Sequence, residues 1–206
     1  MAVPVKRPQA QMHAEAIETV ELELLLEAVF RLHGYDFRDY ARTSIRRRVA
    51  NLMRQEDVRT ISAYQERVLH DRECFQRFLS GVSVNVSAMF RDPGFFRAFR
   101  LHAVPLLRTY PFIRIWQAGC SLGEEAYSMA ILLEEEGLYD RARIYATDIN
   151  EGTLRRARDG VYPAEVMQTY TQNYLQSGGL RSFSEYYTAR YDLAIVRPSL
   201  QRNIVF

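Results

Sequence analysis

Residues 118–125, AGCSLGEE, set two glycines and two adjacent carboxylates between a β-rich run, FIRIWQAG, and a helical pattern, GEEAYSMAILLEEEG. In open α/β sheets ligands bind beyond the carboxyl ends of the strands, where a turn of small residues lets the backbone approach closely. Gly119 and Gly123 supply such a turn. A second β-rich run, RARIYATD, ends in Asp148, 25 residues after Gly123 (148 − 123). An acid there can accept hydrogen bonds from both ribose hydroxyls of an adenosine-containing ligand. A pyrophosphate would favour a neutral or basic turn at the positive helix end, whereas this turn leads at once into Glu124 and Glu125. Two carboxylates repel a phosphate and attract a cation, which suits S-adenosylmethionine, with its α-amino group and sulfonium. The same glutamates could equally serve only to complement the helix dipole, worth about 0.3–1 kcal/mol each, and spacing alone leaves both readings open.

The elements that must position these residues are legible as periodicities. Strand, helix, strand and then a helix capped by Asn150 make a βαβ unit, with parallel strands and a right-handed crossover expected. Upstream, Ile17, Val20, Leu24, Leu25, Ala28, Val29 and Leu32 follow helical spacing up to Gly34, a candidate C-terminal cap. Ala41, Ile45, Val49, Leu52 and Met53 predict a second helix, and shorter ones follow in ISAYQERVL and in residues 71–80, where Phe75, Phe78 and Leu79 are candidate core. Residues 16–81 therefore read as a helical bundle behind a frayed tail, 1–15. Val82, Val84 and Val86 alternate with Ser83, Asn85 and Ser87, predicting an extended linker over 82–92, after which Asp92 and Pro93 open another helix. Residues 93–206 form the α/β part, with a β-rich inserted segment around 180–200. The predicted fold class is α/β: a Rossmann-like domain preceded by a small all-α bundle.

At 206 residues, 48% hydrophobic and 25% charged, the chain has the composition of a globular protein with one large domain or two small ones. Cys74 and Cys120 fit neither a disulfide framework nor a metal-spaced pattern, which points to a reducing compartment. There is no signal-peptide core and no run of 18 apolar residues, so a cytoplasmic protein without membrane insertion is expected. The net charge of +2 argues against bulk attraction to nucleic acid. Only Lys6 is a lysine, so 26 of the 27 basic residues are arginines, and these fork carboxylates and phosphates bidentately. Residues 38–59 carry seven arginines against Asp39, Glu56 and Asp57, a local +4. On a helical wheel Arg47 and Arg54 point away from the core face and Arg46 and Arg48 flank it; this is either a solvated face or a docking surface for an acidic partner. No Ser-His-Asp, Cys-His or metal-ligand pattern is present, and His13, His33, His70 and His102 are scattered.

Three runs in order, VSVNVSAMFRDPGFF, IWQAGCSLGEEAYSMAI and ATDINEGTLRRARDGVYP, resemble the linker, the first nucleotide-loop motif and the second-strand motif of the CheR-type chemotaxis methyltransferases. The resemblance covers the chain from about residue 16. It implies S-adenosylmethionine-dependent methylation of glutamates on chemoreceptors, with the receptors' cytoplasmic helical region as partner and S-adenosylhomocysteine as product. It further implies cofactor contacts at Asn85, Ser87 (where threonine is usual), Arg91, Glu125 and Asp148, beside the Gly119 turn. Arg91 would lie by the methyl donor and hold the acceptor side chain as the catalytic residue, Glu125 would receive the donor's amino group, and Asp148 the ribose. Arg46, Arg47, Arg48 and Arg54 would face the receptor's acidic methylation region. Leu122 replaces a usual threonine. The family continues beyond a strand such as NIVF, so the chain is expected to be the front two thirds of such an enzyme, weak or inactive alone. Two rival readings are a non-catalytic signalling module that binds S-adenosylmethionine or S-adenosylhomocysteine, and an arginine-rich nucleic-acid binder.

Overall fold

The computed structural model describes residues 9–83 and 87–206. The chain divides into two compact units, Met1–Val84 and Asn85–Phe206. The first holds four helices, α1 (Gln9–His33), α2 (Arg42–Gln55), α3 (Ile61–His70) and α4 (Arg72–Val82). Helix α1 starts at Gln9, inside the stretch expected to be a tail, and Gly34 closes it in the left-handed region at φ +78°. Its buried face is Leu22, Leu25, Leu26 and Val29, while Ile17, Val20, Leu24 and Leu32 are exposed. The helix carries apolar residues on two sides, and packing against α3 selects which side is buried. Thr60 caps α3 by accepting from the Ala63 N–H, and Asp71 caps α4 by accepting from Glu73 and Cys74.

Helix α4 runs through Gly81, which the alternation at Val82 had suggested as its end. A Cβ on Gly81 would come within 2.6 Å of Leu52 Cδ2, so this glycine lets α4 lie close against α2. Val82 is the last residue of α4, and Ser83, its C-cap, is buried but already extended at φ −62° and ψ 143°. Val84, Asn85 and Val86 lie outside the described residues.

The second unit opens with α5 (Pro93–Ala98), capped by Asp92, and continues through a π-turn into α6 (Val104–Leu107). Strand β1 (Ile113–Ala118) then leads into α7 (Glu124–Glu135), β2 (Ala142–Thr147) and α8 (Glu151–Asp159). Strand β1 pairs in parallel with β2, Ile113 opposite Ala142 through Ala118 opposite Thr147. On its other edge β2 pairs in parallel with β6 (Ile204–Val205). The period-2 pattern of β2 sends Ala142, Ile144 and Ala146 inward. Helix α7 is buried on nearly every side through its middle, Ala126–Leu133, where every residue but Ser128 is apolar or aromatic. Among the described residues the opposite sheet face is bare: Trp116, Tyr145 and Val205, at matching register positions, are 72%, 40% and 43% exposed.

A second, antiparallel sheet has the order β3 (Val161–Pro163), β5 (Leu193–Val196), β4 (Tyr187–Arg190). It therefore draws in residues well before the 180–200 segment, with α9 (Met167–Gln176) in the intervening chain. Glu135, at the end of α7, fastens this region: its Oε1 accepts from the Tyr186 hydroxyl at 2.9 Å, from Leu180 N–H at 3.0 Å and from the Tyr174 hydroxyl, and its Oε2 accepts from Arg100.

Candidate functional site

The site is built on the end of β1, the end of β2 and the turn entering α7. Gly119 and Gly123 take φ of +77° and +88°, and Ser121 between them takes +52°, so the turn is left-handed at three of five positions. At Gly123 a Cβ would also sit 3.0 Å from Ala157 Cβ on α8, so bare backbone is needed for both conformation and close approach. The turn is tied to β2 because the N–H groups of Gly119 and Cys120 both donate to the Thr147 carbonyl, at 2.8 and 2.9 Å. Asp148 completes the tie: its Oδ2 accepts from Ser121 N–H and its Oδ1 from Asn150 N–H, each at 2.9 Å. A carboxylate has about four lone-pair sites, so Asp148, half-buried at the strand end, retains acceptor capacity for a ligand's hydroxyls.

Glu124 and Glu125 part company. Glu125 is exposed, and Gln117 at the end of β1 donates from Nε2 to its Oε1 at 3.4 Å. Glu124 is 3% exposed, and burial pushes its carboxyl pKa up. The pair expected to face a cation is thus a single carboxylate at the mouth with a second one beneath it. Three buried polar atoms at the turn lack partners among the described residues, Gln117 Oε1, Ser121 Oγ and Glu124 Oε2. Cys120 is no nucleophile: burial first, and then the charges of Asp148, Glu124 and Glu125, push its thiol up to about 12. No group of His, Cys, Asp or Glu among the described residues could hold a metal ion, and none of the described helices is long and apolar enough to cross a membrane.

Ser87 is half-buried, and its hydroxyl lies close enough to the Glu124 carboxyl to counter part of the upward push of burial. Arg91 is exposed, one residue before the cap of α5. The structure thus brings Gly119, Glu125 and Asp148 together around one turn and sets Ser87 against the first residue of α7; Asn85 lies outside the described residues. Sequence reasoning missed Gln117 and Ser128, whose only signal was a polar residue within an apolar run, and Tyr170, which stands among polar residues and gave no signal.

On α2, in the other unit, the arginines divide the labour. Among the described residues Arg47 is exposed with no ion-pair partner, and Arg54 is exposed with a hydrogen bond to Asn51 and no ion pair. Arg46 pairs with Glu18. Arg48 is half-buried and donates to the carbonyls of Gly81 (3.3 Å) and Ser83 (2.9 Å), closing the end of α4, so its main contacts are internal.

Residues 85–206 match the family described as CheR methyltransferase, SAM binding domain, and residues 20–83 match CheR methyltransferase, all-alpha domain. A Pseudomonas putida protein named as a methyltransferase, Cher3, is 52% identical over 195 residues, covering 95% of this chain and 71% of its own. Chemotaxis protein methyltransferase 2 of Pseudomonas aeruginosa is 30% identical over 150 residues (72% of this chain, 54% of its own). Chemotaxis protein methyltransferase of Escherichia coli is 26% identical over 166 residues (78% of this chain, 57% of its own). The chain therefore spans little more than half the length of the two chemotaxis methyltransferases.

Proposed function

The chain belongs to the CheR methyltransferase family, and from that premise we propose that it serves in the cytoplasm to methylate glutamate side chains of chemoreceptors. S-adenosylmethionine is its cofactor, and when bound it supplies an electrophilic methyl group on a sulfonium. The observation that carries the reading is the acidic turn. Its exposed charge is the Glu125 carboxylate, its orphaned polar atoms are oxygens of Gln117, Ser121 and Glu124, and such a mouth accepts a ligand bearing an ammonium group and hydroxyls but repels phosphate. Asp148 would take the ribose hydroxyls and Glu125 the amino group, with the Gly119 turn giving backbone access. Asn85 and Ser87 would complete the cofactor contacts, and Arg91 would hold the acceptor carboxylate.

An acceptor glutamate has an ordinary pKa of about 4.3, so it is already an anionic nucleophile at neutral pH and needs no general base. The work left to the protein is alignment and exclusion of water. That agrees with a turn holding no activated thiol and no nucleophile–base pair. The receptor's cytoplasmic helical region would dock on the α2 arginines, chiefly Arg47 and Arg54, with Arg46 and Arg48 flanking. The test is transfer of a labelled methyl group from S-adenosylmethionine to a receptor cytoplasmic fragment. Base-labile label on glutamate is expected; binding of S-adenosylhomocysteine without transfer would favour a non-catalytic signalling module.

A further inference from the structure

A turn that is left-handed at Gly119, Ser121 and Gly123 keeps its shape only where its surroundings enforce it, and at Ser121 the conformation is strained as well. From the end of β2 it is gripped through the N–H groups of Gly119 and Cys120, which donate to the Thr147 carbonyl, and of Ser121, which donates to Asp148. The next residue is gripped from a different sheet. The Tyr162 hydroxyl, on β3, donates to the Leu122 carbonyl at 2.8 Å. Tyr162 is buried, with its ring edge-on to Tyr127 and Tyr170 at 6.3 and 6.1 Å between centroids. Burial pushes its phenol well above the ordinary tyrosine range, so the hydroxyl keeps its proton and remains a donor.

The chain between the two grips explains how they meet. Helix α8, capped by Asn150, ends at Gly160 in the left-handed region at φ +62°. A Cβ there would come within 2.8 Å of the Tyr127 hydroxyl oxygen, so glycine lets the chain reverse close against α7 and enter β3. Pairing with β5, Tyr162 opposite Ala194, then fixes the strand. Asp148 and Tyr162, near the two ends of the run ATDINEGTLRRARDGVYP, thus close on adjacent residues of the turn. Because a trans peptide points its N–H opposite to its C=O, holding the Leu122 carbonyl toward Tyr162 directs the Gly123 N–H to the Cys120 carbonyl, which accepts it at 3.0 Å. The peptide that leads into α7 is oriented by β3.

We propose that Tyr162 is a positioning residue for the cofactor turn: its hydroxyl, acting through the Leu122 carbonyl, holds residues 119–123 in the binding conformation and so couples the antiparallel sheet to cofactor affinity. This rests on the reading of the turn as the S-adenosylmethionine site. A buried tyrosine hydroxyl needs some acceptor, and a purely structural one could take any carbonyl of the core. This one takes a carbonyl between two left-handed residues of the turn.

Titration calorimetry with S-adenosylhomocysteine, with unfolding midpoints in parallel, on wild type, Tyr162→Phe and Tyr139→Phe tests it. Tyr139 is the matched control, because it is equally buried and donates its hydroxyl to the Leu200 carbonyl beyond the other end of α7. Tyr162→Phe is expected to weaken binding about three- to tenfold, the scale of one net hydrogen bond. Tyr139→Phe should lower the unfolding midpoint and leave affinity unchanged. Wild-type affinity in folded Tyr162→Phe, or equal weakening by both variants, would overturn the proposal while leaving the cofactor site standing. Amide exchange of the wild-type chain decides the matter if Tyr162→Phe does not fold: S-adenosylhomocysteine should slow exchange in β3 together with residues 119–123, and more than in β4. Slowing no greater in β3 than in β4 would overturn the proposal. Failure of the wild-type chain to bind S-adenosylhomocysteine would instead overturn the site assignment, and the proposal with it.

Discussion

Glu124 and Glu135 stand at opposite ends of α7 and are both buried, yet their carboxyls differ in how far they are satisfied. Glu135 has three donors on Oε1 and the Arg100 guanidinium on Oε2, and the Arg100 side chain is itself only 11% exposed. Replacing Glu135 by Ala takes one of two carboxylates from Arg100, which keeps Glu136 at 2.9 Å, and strands two tyrosine hydroxyls, so a loss of about 1–3 kcal/mol is expected. Denaturant unfolding of Glu135→Ala measures it, and a midpoint like that of the wild type would refute it. Glu124 carries the opposite liability. Burial raises its pKa in the folded state, so its ionisation disfavours folding, and that penalty appears as pH rises above the unfolded carboxyl value of about 4.3. Glu124→Gln should therefore gain in melting temperature relative to wild type on going from acid to neutral pH. A gain that is constant across that range would mean that the acid is not desolvated.

Among the elements, α2 shows how one helix can serve two surfaces. Ile45, Val49 and Leu52 face the core, Arg48 closes the neighbouring helix, and Arg47 and Arg54 are left to solvent. Charge reversal at Arg47 and Arg54 should weaken receptor association and steepen no unfolding curve, while S-adenosylhomocysteine affinity stays intact. Association should also fall with salt, since exposed charges are screened over about 8 Å at physiological ionic strength. Normal methylation kinetics in the double mutant would reduce this face to solvated surface. Helices α2 to α4, β1, α7, β2 and the Asn150 cap were legible in the sequence because period and cap chemistry are local. The buried side of α1 was not, because apolar residues lie on both sides and the choice belongs to α3. Pairing of β3 with β5 joins Val161 to Ile195, a non-local choice that no local pattern encodes. Gly119, Gly123 and Asp148 could be read as a site from type and spacing. Which of two adjacent glutamates turns inward could not, since α7 is buried on nearly every side and its periodicity distinguishes neither.

At the scale of the whole molecule, the bare sheet face and the site meet at one residue. Trp116 is the single tryptophan of the chain, and its Nε1 donates at 2.9 Å to Thr147 Oγ1, next to Asp148. Ligand binding at Asp148 should therefore shift tryptophan emission saturably; a silent spectrum at full occupancy would place the ligand elsewhere. The central claim is that the turn between β1 and α7, tied to Asp148, holds the cofactor. Titration calorimetry of S-adenosylhomocysteine into the wild-type chain and Asp148→Ala tests it most directly. The expected result is one equivalent bound by wild type and a loss of about 1–3 kcal/mol, roughly five- to 150-fold, in the variant, the cost of removing charge-assisted hydrogen bonds. Equal affinity in a folded Asp148→Ala protein would contradict it.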